Sequence, residues 1–555
     1  MFKKFYVVVL ISLFLVGCQA QKVTESNEIP LKTVDDTPPK LVVGIIVDQM
    51  RYDYLTRFYN RYGEGGFKRM VNEGFTMRNN HFNYIPTFTG PGHSSVFTGT
   101  TPKYHGIIGN NWYDKESKKM VYCAGDDTVN PVGTEHAAGK MSPHRMKTTT
   151  FTDQNRLFTQ MRGKTIGVSL KDRGSILPAG HTANAAYWFH GADEGRWISS
   201  SFYMEQLPVW VSDFNASKKA DSYLKSWNTL YPVGTYRESG LDENDFEGGF
   251  SGKETATFPY ELNTLKDSNG GYDILKATPY GNSLTADFAM AAIKGEDLGK
   301  DEVTDVLTLS FSSTDYVGHN FGVNSKEIED TYLRLDQDLE RFFNFLDQEV
   351  GQGDYTVFLT ADHGAIDVPS YLGSLGIPSG YLDNRATKSR FEEFVKTRID
   401  STGLIENISN DQIFLNRMKI DSLGLNLITV QEQMVNELIG YDHIDKVYSA
   451  HTMSTNDFNS GIEELLQNGY NQKRSGDLLM VPDASFISYH KTGSTHGSGF
   501  NYDTHVPLLF FGKGVRHGST FQKTKIVDVA PTISAIMGIS LPNASNGTIL
   551  EFIMN

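Results

Sequence analysis

Three acidic side chains follow stretches rich in apolar and β-branched residues. They are Asp48, Asp315 and Asp362. Ligand sites in open α/β sheets lie outside the carboxyl ends of the strands, so these three carboxylates are candidates for a single site. Because carboxylates at the same edge of a sheet repel one another, they must either share a cation or lie apart.

Histidines accompany these acids. Asp315 and His319 are four residues apart in DYVGH, which is one helical turn or one tight loop. His363 directly follows Asp362 in ADHG. Glycines flank His496 in GSTHGSG and let the backbone bring that imidazole close to a site. Mixed aspartate and histidine ligation is typical of zinc, and two metal ions can share such a set.

The segment YIPTFTGPGHSSVFTGT, residues 84–100, is rich in hydroxyl groups and contains a candidate nucleophile. It could equally be an ordinary polar turn. A threonine hydroxyl is a poor nucleophile at neutral pH, but zinc lowers the pKa of a bound water from about 16 to about 7, and a bound alcohol should respond similarly. Two metal ions about 4 Å apart can also clamp the attacking and leaving oxygens of an in-line displacement.

The elements that must position these side chains alternate between strand and helix patterns. Continuous apolar runs suit strands buried on both faces of a parallel sheet. Such runs occupy residues 41–48, 164–174, 305–315, 355–364 and 506–512. A helical pattern at 326–350 lies between two of them. This alternation predicts an α/β fold with a mostly parallel central sheet flanked by helices. Residues 181–280 and 370–490 interrupt the alternation and are predicted cap insertions.

The N-terminal segment has the pattern of an export signal. Two lysines precede an apolar run that is too short to span a bilayer. LVGC, ending at Cys18, resembles a bacterial lipobox, so residues 1–18 are a predicted signal peptide with membrane attachment through lipidated Cys18. Ordinary cleavage after Ala20 is the alternative. The polar residues 19–40, with three prolines, predict a flexible tether, and we expect an exported, periplasmic or cell-surface protein.

Composition sets further bounds on the chain of 555 residues. A net charge of −15 argues against nucleic acid as a partner, because nucleic-acid binders normally present a basic face. Cys18 and Cys123 are the two cysteines of the sequence, and a lipidated Cys18 would leave Cys123 without an intrachain partner. We therefore expect a large apolar core, and no disulfide, to hold the exported domain together.

Taken in order, Asp48, TGPGH, DxxxH, DHG and THG resemble the alkaline phosphatase superfamily. The similarity is to its nucleotide pyrophosphatase/phosphodiesterase-like branch, and within that branch to the threonine-type bacterial alkaline phosphatases. It extends from GIIVDQMRYDYL to IVDVAPTISAIMGISLP. The resemblance implies an alkaline-phosphatase-like catalytic domain over residues 41–555, small-molecule phosphate monoesters as substrates and two zinc ions.

The same resemblance implies roles for individual residues. Thr89 corresponds to the nucleophile, and Thr87 is a rival hydroxyl that lies off the matching position. His93 is expected to be a structural residue near the start of a helix. The implied ligands of one zinc ion are Asp315, His319 and His496. The implied ligands of the other are Asp48, Asp362, His363 and the oxygen of Thr89.

Three further residues bear on the substrate class. Asn110 occupies the position of the family's phosphate-binding asparagine, with Asn111 as the adjacent alternative. Lys171 and Arg173 are two residues apart, so on an extended backbone they would point to the same side, with Asp172 opposite. An ammonium and a guanidinium together suit the dianionic phosphate of a monoester, and the resemblance marks this pair as the monoesterase feature. We therefore predict an alkaline phosphatase that works through a covalent phosphothreonine intermediate.

Other members of the superfamily fit less well. Sulfatases use a Cys- or Ser-x-Pro-x-Arg segment, which residues 84–100 lack, and the independent phosphoglycerate mutases use a serine nucleophile. A phosphodiesterase or nucleotide pyrophosphatase is the alternative enzyme. A metal- or phosphate-binding lipoprotein that has lost catalysis would have lost a ligand or the nucleophile, whereas every expected position is filled here.

Overall fold

The structure is a computed structural model that describes residues 37–399 and 401–554. The predicted signal peptide, Cys18 and most of the predicted tether lie outside the described residues. The tether was predicted to extend through Lys40, but this end is fixed to the domain. The backbone N–H of Lys40 donates to the carbonyl of Asp354 at 2.8 Å, and Thr304 Oγ1 donates to the Pro39 carbonyl at 2.7 Å.

The strands of the described residues are β1 (Leu41–Val47), β2 (Phe75–Met77), β3 (Asn80–His81), β4 (Asn111–Asp114), β5 (Lys119–Tyr122), β6 (Pro131–Val132), β7 (Thr165–Ser169), β8 (Ala185–His190), β9 (Arg196–Ser200), β10 (Ser226–Trp227), β11 (Tyr260–Glu261), β12 (Asp305–Phe311), β13 (Tyr355–Thr360), β14 (Gly380–Tyr381), β15 (Ile405–Ser409), β16 (Gln412–Leu415), β17 (Ile444–Ser449), β18 (Leu478–Pro482), β19 (Phe486–Ile487), β20 (Leu508–Gly512), β21 (Gly518–Thr520) and β22 (Thr524–Lys525).

The α-helices are α1 (Asp53–Arg57), α2 (Phe67–Glu73), α3 (Thr89–Thr98), α4 (Pro102–His105), α5 (Phe151–Phe158), α6 (Asp172–Ala179), α7 (Val209–Ala216), α8 (Leu262–Leu265), α9 (Pro279–Gly295), α10 (Ser313–Phe321), α11 (Lys326–Leu346), α12 (Pro369–Ser374), α13 (Asn384–Arg398), α14 (Arg417–Ser422), α15 (Leu427–Leu438), α16 (Ala450–Thr455), α17 (Gly461–Gly469), α18 (Asn501–Thr504) and α19 (Val529–Met537).

A ten-stranded sheet forms the centre of the domain, in the order β21-β2-β20-β13-β1-β12-β7-β8-β9-β6. The run from β13 through β1, β12 and β7 to β8 is parallel, and antiparallel pairs occur on both sides of it. All seven residues of β1 are buried, because helices cover both faces of a parallel sheet. This architecture confirms the predicted α/β class with a mostly parallel central sheet.

Three sequence predictions differ from the observed elements. The run 506–512 forms β20, but it pairs antiparallel with β13, since an apolar run indicates a buried strand without fixing its direction. The run 164–174 forms a strand only as far as Ser169, and α6 begins at Asp172. The predicted insertion 181–280 begins with β8 and β9, which belong to the central sheet.

The helix predicted at 326–350 is α11, followed by a short π-helical turn, Asp347–Gly351. It begins where the Ser325 side chain accepts a hydrogen bond from the Ile328 N–H at 3.1 Å, which satisfies one of the free donors at the helix start. Its buried face carries Ile328 and Leu339 into the main apolar core. α11 thus packs against the same apolar core as the strands of the central sheet.

The predicted insertion 370–490 contains a small antiparallel sheet of its own, in the order β15-β16-β18-β17. Helices α13 and α15 cover this sheet, and an apolar cluster separate from the main core lies between them. Its buried members include Phe391, Met434 and Leu478. The tip of the hairpin between β15 and β16 reaches back to the main domain, where Asn410 Nδ2 donates to the carbonyl of Asn111 at 2.7 Å.

Candidate active site

The three acids meet at one edge of the central sheet because β1 pairs in parallel with both β12 and β13. Asp48 directly follows β1, and its N–H donates to the carbonyl of Phe311, the last residue of β12. Asp362 lies two residues beyond β13, and Asp315 lies in the first turn of α10. The parallel register therefore accounts for the convergence that the sequence predicted.

The first group of candidate metal ligands is Asp48, Asp362 and His363. One ligand atom from each lies within 4.8 Å of the others, and all three residues are buried. His363 Nε2 is 3.5 Å from Asp48 Oδ1 and 3.5 Å from Asp362 Oδ2. These three atoms are buried without a hydrogen-bond partner among the described residues, an arrangement that is costly unless a cation is bound there.

The second group is Asp315, His363 and His496, whose ligand atoms also lie within 4.8 Å of one another. His363 is a member of both groups. Its ring stacks on that of His496, with centroids 3.4 Å apart. His319, which the sequence predicted as a ligand here, has Nε2 3.1 Å from Asp315 Oδ1. All four residues thus lie together, with His363 between the two groups.

Backbone carbonyls orient the three histidines in the same way. Each ring places Nδ1 against a carbonyl oxygen, which leaves Nε2 to face the acids, the arrangement common in histidine metal ligands. The pairs are His363 with Gly364 at 2.9 Å, His496 with Thr87 at 2.7 Å and His319 with Ser494 at 2.7 Å. The donor set therefore fits divalent metal ions that accept nitrogen and oxygen ligands, such as zinc.

Burial keeps two of these histidines uncharged at neutral pH. It lowers the pKa of His363 below its usual value, although the Asp362 carboxylate opposes the shift. Burial also lowers the pKa of His496 well below its usual value, and the neighbouring His363 and His319 add to the effect. A neutral imidazole has the free lone pair that metal ligation requires.

The pKa values of the three acids shift in different directions. Burial, reinforced by the nearby Asp362 carboxylate, raises the pKa of Asp48 well above its usual value. Burial would do the same to the other two, but His319 holds the pKa of Asp315 well below its usual range. His363 likewise keeps the pKa of Asp362 low. Opposite shifts among neighbouring buried carboxyls mark an electrostatically strained cluster, which is typical of functional sites.

Thr89 is the first residue of α3, at the edge where the acids converge. Its side chain is buried, and Oγ1 has no hydrogen-bond partner among the described residues. Thr87 Oγ1, by contrast, donates to the Ser498 carbonyl at 2.8 Å. A Cβ at Gly92 would lie 2.3 Å from the carbonyl oxygen of Asp362, so only glycine lets the helix approach this closely.

His93 lies within α3 as a hydrogen-bonded residue. Its Nδ1 is 2.9 Å from the Thr89 carbonyl, and its Nε2 is 2.9 Å from Ser310 Oγ. The same Nδ1 is 3.3 Å from Asp362 Oδ2. Both ring nitrogens therefore have partners, which leaves neither free to bind a metal ion.

Asn110 contacts the loop that contains the candidate nucleophile. Its Oδ1 accepts a hydrogen bond from the Gly90 N–H at 2.7 Å, so its amide NH₂ remains available to an anion in front of the helix. Asn111, the alternative, is exposed and offers its carbonyl to the hairpin tip of the small sheet. Cys123 Sγ would lie 3.2 Å from a Cβ at Gly90, and this buried thiol is free.

The backbone is extended at Lys171 but helical at Arg173, which corrects the sequence prediction of one extended segment. Lys171 is the residue before α6 and Arg173 lies inside the helix, so the two-residue repeat of a strand does not apply. Lys171 Nζ lies 2.6 Å from Asp48 Oδ2 and 2.5 Å from Asp315 Oδ2. The ammonium thus bridges carboxylates from both ligand groups.

Arg173 has different hydrogen-bond partners from Lys171. Its Nη1 donates to the hydroxyl of Tyr122 at 3.1 Å, and that hydroxyl donates to Asp172. Arg173 Nε is buried without a hydrogen-bond partner among the described residues, so one N–H of the guanidinium remains free for an anion. No sequence pattern predicts a role for Tyr122. It is the last residue of β5, a strand whose mix of polar and apolar residues is common at protein surfaces.

Gln49 also lies in the site, although no sequence pattern predicts a role for it. Its backbone N–H donates to Asp362 Oδ1 at 3.1 Å, and its Nε2 donates to Asp315 Oδ1 at 2.7 Å. The available signal is its position directly after Asp48. A glutamine beside an acid is too common for that position to predict a contact.

Comparisons with known proteins agree with this geometry. The sequence model of the type I phosphodiesterase/nucleotide pyrophosphatase family matches residues 42–507. The alkaline phosphatase PafA of Elizabethkingia meningoseptica is 43% identical over 548 residues, which covers 98% of each chain. The alkaline phosphatase PhoV of Synechococcus elongatus is 44% identical over 520 residues and 92% of each chain. A crystal structure of wild-type PafA superimposes with a TM-score of 0.90, covering 93% of this chain and 99% of the other.

One relative has a different name. A Myroides odoratus protein called a calcium-transporting ATPase is 44% identical over 518 residues, or 92% of this chain and 94% of its own length. Across residues 37–399 and 401–554, no helix has both the length and the apolar character needed to cross a bilayer.

Proposed function

The chain belongs to the type I phosphodiesterase/nucleotide pyrophosphatase family, and within it to the PafA-type alkaline phosphatases; on this premise we propose that it hydrolyses phosphate monoesters with two zinc ions and a phosphothreonine intermediate. Its relatives make it a phosphoric monoester hydrolase. The observation that carries the finer proposal is the pair of ligand groups that share His363 at the edge where the unpartnered Thr89 hydroxyl lies.

Asp48, Asp362 and His363 would hold one zinc ion, with the Thr89 oxygen as a further ligand. Asp315, His319 and His496 would hold the other. When bound, zinc supplies Lewis acidity, which lowers the pKa of a hydroxyl group and offsets the negative charge of the attacking and leaving oxygens.

The residues of the chain supply the reaction geometry. Thr89 Oγ1 loses its proton to water and forms a bond to phosphorus as the bond between phosphorus and the substrate oxygen breaks. The leaving oxygen takes a proton from water and departs as the alcohol. Water then attacks the phosphothreonine, releases inorganic phosphate and restores the Thr89 hydroxyl. The Asn110 amide and the N–H groups at the start of α3 would orient the phosphoryl oxygens.

Two cations would favour a monoester over a diester. The free Arg173 Nε–H and the Lys171 ammonium lie on α6 and at its start, and both would face a terminal phosphate that carries two negative charges. A diester presents one charge fewer and a second bulky group at that position. This arrangement supports phosphomonoesterase activity over the phosphodiesterase alternative.

The proposal is tested by comparing two aryl substrates with purified, zinc-loaded protein. We expect the kcat/KM of an aryl phosphate monoester to exceed that of the matching methyl aryl diester by at least about 100-fold, the discrimination that one or two charged contacts can supply. Faster turnover of the diester would contradict the monoesterase assignment. Turnover of neither substrate by protein that holds two zinc ions would favour a non-catalytic binding protein.

Thr89→Ala tests the nucleophile directly. Because Thr89 Oγ1 is buried without a partner among the described residues, at the start of the helix that packs against Asp362, we expect the variant to lose at least about 1000-fold in kcat, as when other catalytic nucleophiles are removed. Acid-quenched wild-type protein should carry phosphate on Thr89, detected by mass spectrometry of the peptide. Thr87→Val, which removes the hydroxyl that donates to Ser498, serves as the control and should retain most activity. Phosphate on any other residue would assign the nucleophile elsewhere.

Attachment to a membrane through a lipidated Cys18 remains part of the proposal, supported by the LVGC pattern. The chain would then act on phosphate monoesters outside the cytoplasm, as a periplasmic or cell-surface enzyme. Cys18→Ser should move the protein from the detergent-soluble membrane fraction into the aqueous fraction. An unchanged distribution would favour ordinary cleavage after Ala20.

A further inference from the structure

Gln49 occupies an uncommon backbone conformation between the two ligand groups. Its φ is +64°, in the left-handed region that residues with a side chain rarely adopt. The residue is 2% exposed, so hydrogen bonds to solvent do not stabilise this conformation. For L-amino acids this region is sterically unfavourable, whereas glycine adopts it freely. A glutamine at this position therefore needs a compensating side-chain interaction.

The left-handed turn lets the residue reach both ligand groups. Its backbone N–H donates to Asp362 Oδ1 at 3.1 Å, which belongs to the first group. Its side-chain Nε2 donates to Asp315 Oδ1 at 2.7 Å, which belongs to the second group. Both hydrogen bonds end on charged oxygens in a buried site, where such bonds are strong.

The neighbouring helix fixes the orientation of the Gln49 amide. A Cβ at Gly318 would lie 1.9 Å from Gln49 Oε1, so any larger residue there would displace the glutamine. Gly318 directly precedes His319 in α10. The amide oxygen thus lies against the backbone of α10, and the amide nitrogen faces Asp315.

We infer that Gln49 is a positioning residue that holds a carboxylate of each metal group and so couples their geometry. The inference rests on the two-metal centre of the proposed function. The Gln49 side chain donates only to Asp315 of the second ligand group, whereas the Gln49 backbone N–H donates to Asp362 of the first. Loss of a hydrogen bond to a metal ligand typically costs about 10–100-fold in metal affinity, so loss of the side chain should weaken one ion selectively.

Gln49→Gly separates the two contacts. Glycine keeps the backbone N–H to Asp362 and relieves the strained φ, but removes the amide that holds Asp315. Zinc content per chain is measured after dialysis against a graded series of chelator concentrations. Wild type should lose its two ions over one range. The variant should lose one ion at about 10–100-fold lower free chelator and the second ion as in wild type.

Two further variants make the result specific. Gln49→Asn tolerates the left-handed conformation and, unlike glycine, keeps a side chain at this position. Its amide is one methylene too short to reach Asp315, so the variant should behave like the glycine variant. Gln160→Gly makes the same substitution at an exposed residue with a φ of +54°, and it should retain both ions as wild type does.

Thermal unfolding of the metal-free Gln49 variants should match that of metal-free wild type within a few degrees.

The outcomes divide the inference from the proposed function. Three results would overturn the inference: unchanged zinc retention in both Gln49 variants, equally weakened binding of both ions, or weakened binding in the glycine variant alone. In each case, wild-type protein that holds two zinc ions would still support the proposed metal centre. A wild-type chain that retains no divalent ion would overturn the proposed function, and the inference with it.

Discussion

Thr87 and Thr89 lie two residues apart, yet their hydroxyl groups are in different situations. Thr87 Oγ1 donates to a backbone carbonyl, and Thr89 Oγ1 is buried with no partner in the described part of the chain. A buried hydroxyl without a partner costs about 1–3 kcal/mol, which a folded protein tolerates where a ligand completes the site. Hydrogen bonding therefore favours the same threonine as the family resemblance.

Arg173→Ala should separate monoester from diester hydrolysis. The buried Nε–H of this guanidinium has no hydrogen-bond partner in the described part of the chain, and a monoester offers it one more negative charge than a diester. We expect kcat/KM for an aryl monoester to fall about 100–1000-fold, as on removal of one charged donor from an active site, and that for the diester to fall less than about tenfold. Steady-state kinetics with both substrates measures the difference.

Arg196→Ala is the matched control for Arg173. Its side chain is 48% exposed and pairs with Glu194, so both substrates should be turned over as by wild type. Equal losses for the two substrates in the Arg173 variant would contradict the assignment of this residue to substrate choice.

The sequence indicated which residues lie together at the sheet edge, whereas their roles in the reaction stay predictions. Asp48, Asp362 and His363 meet because they follow strands of a parallel sheet, and such runs are visible in the sequence. The extended backbone predicted at Arg173 was wrong, because α6 starts at Asp172 without a capping side chain that would signal it. Gln49 could not be predicted, since its role depends on a left-handed φ that glutamine rarely adopts.

At the scale of elements, the Asp330 carboxylate is one of the groups that connect the first predicted insertion with α11. Asp330 accepts hydrogen bonds from Trp227 Nε1 at 2.8 Å, Leu230 N at 2.6 Å and Tyr236 OH at 2.5 Å. The same insertion contacts the site, because Gly248 N donates to the carbonyl of Asn320, the residue after His319. No run of residues predicts such a connection, since its partners are about 100 positions away from Asp330.

Asp330→Asn should detach residues 227–236 from α11. The amide offers one acceptor oxygen where several donors converge, and it leaves the Arg334 guanidinium without its carboxylate, 2.6 Å away. Breaking a buried pair of this kind costs about 3–5 kcal/mol. Hydrogen exchange should become faster in residues 227–236 and remain slow in β1. Glu302→Gln, at a side chain that is 91% exposed, should change neither. Unchanged exchange in the Asp330 variant would show that other contacts hold the insertion.

At the scale of the whole molecule, the domain gathers buried negative charge at one edge of its sheet. Asp48, Asp315 and Asp362 are all at most 3% exposed, in a chain whose net charge is −15. Lys171 offsets part of this charge, since it contacts two of the three carboxylates. Metal ions bound here would therefore stabilise the fold as well as serve the reaction, because they bind the folded state alone.

Removal of the metal ions should lower the stability of the protein. An ion present at 1000 times its Kd adds about 4 kcal/mol, and two such ions should raise the midpoint of thermal unfolding by roughly 10 °C in a domain of this size. Wild-type protein is stripped with a chelator, its zinc content is measured, and unfolding is followed by tryptophan fluorescence at a fixed scan rate. Two equivalents of zinc should restore the midpoint, whereas magnesium, which prefers oxygen ligands, should not. An unchanged midpoint in fully stripped protein would mean that Lys171 alone suffices to hold the three carboxylates together.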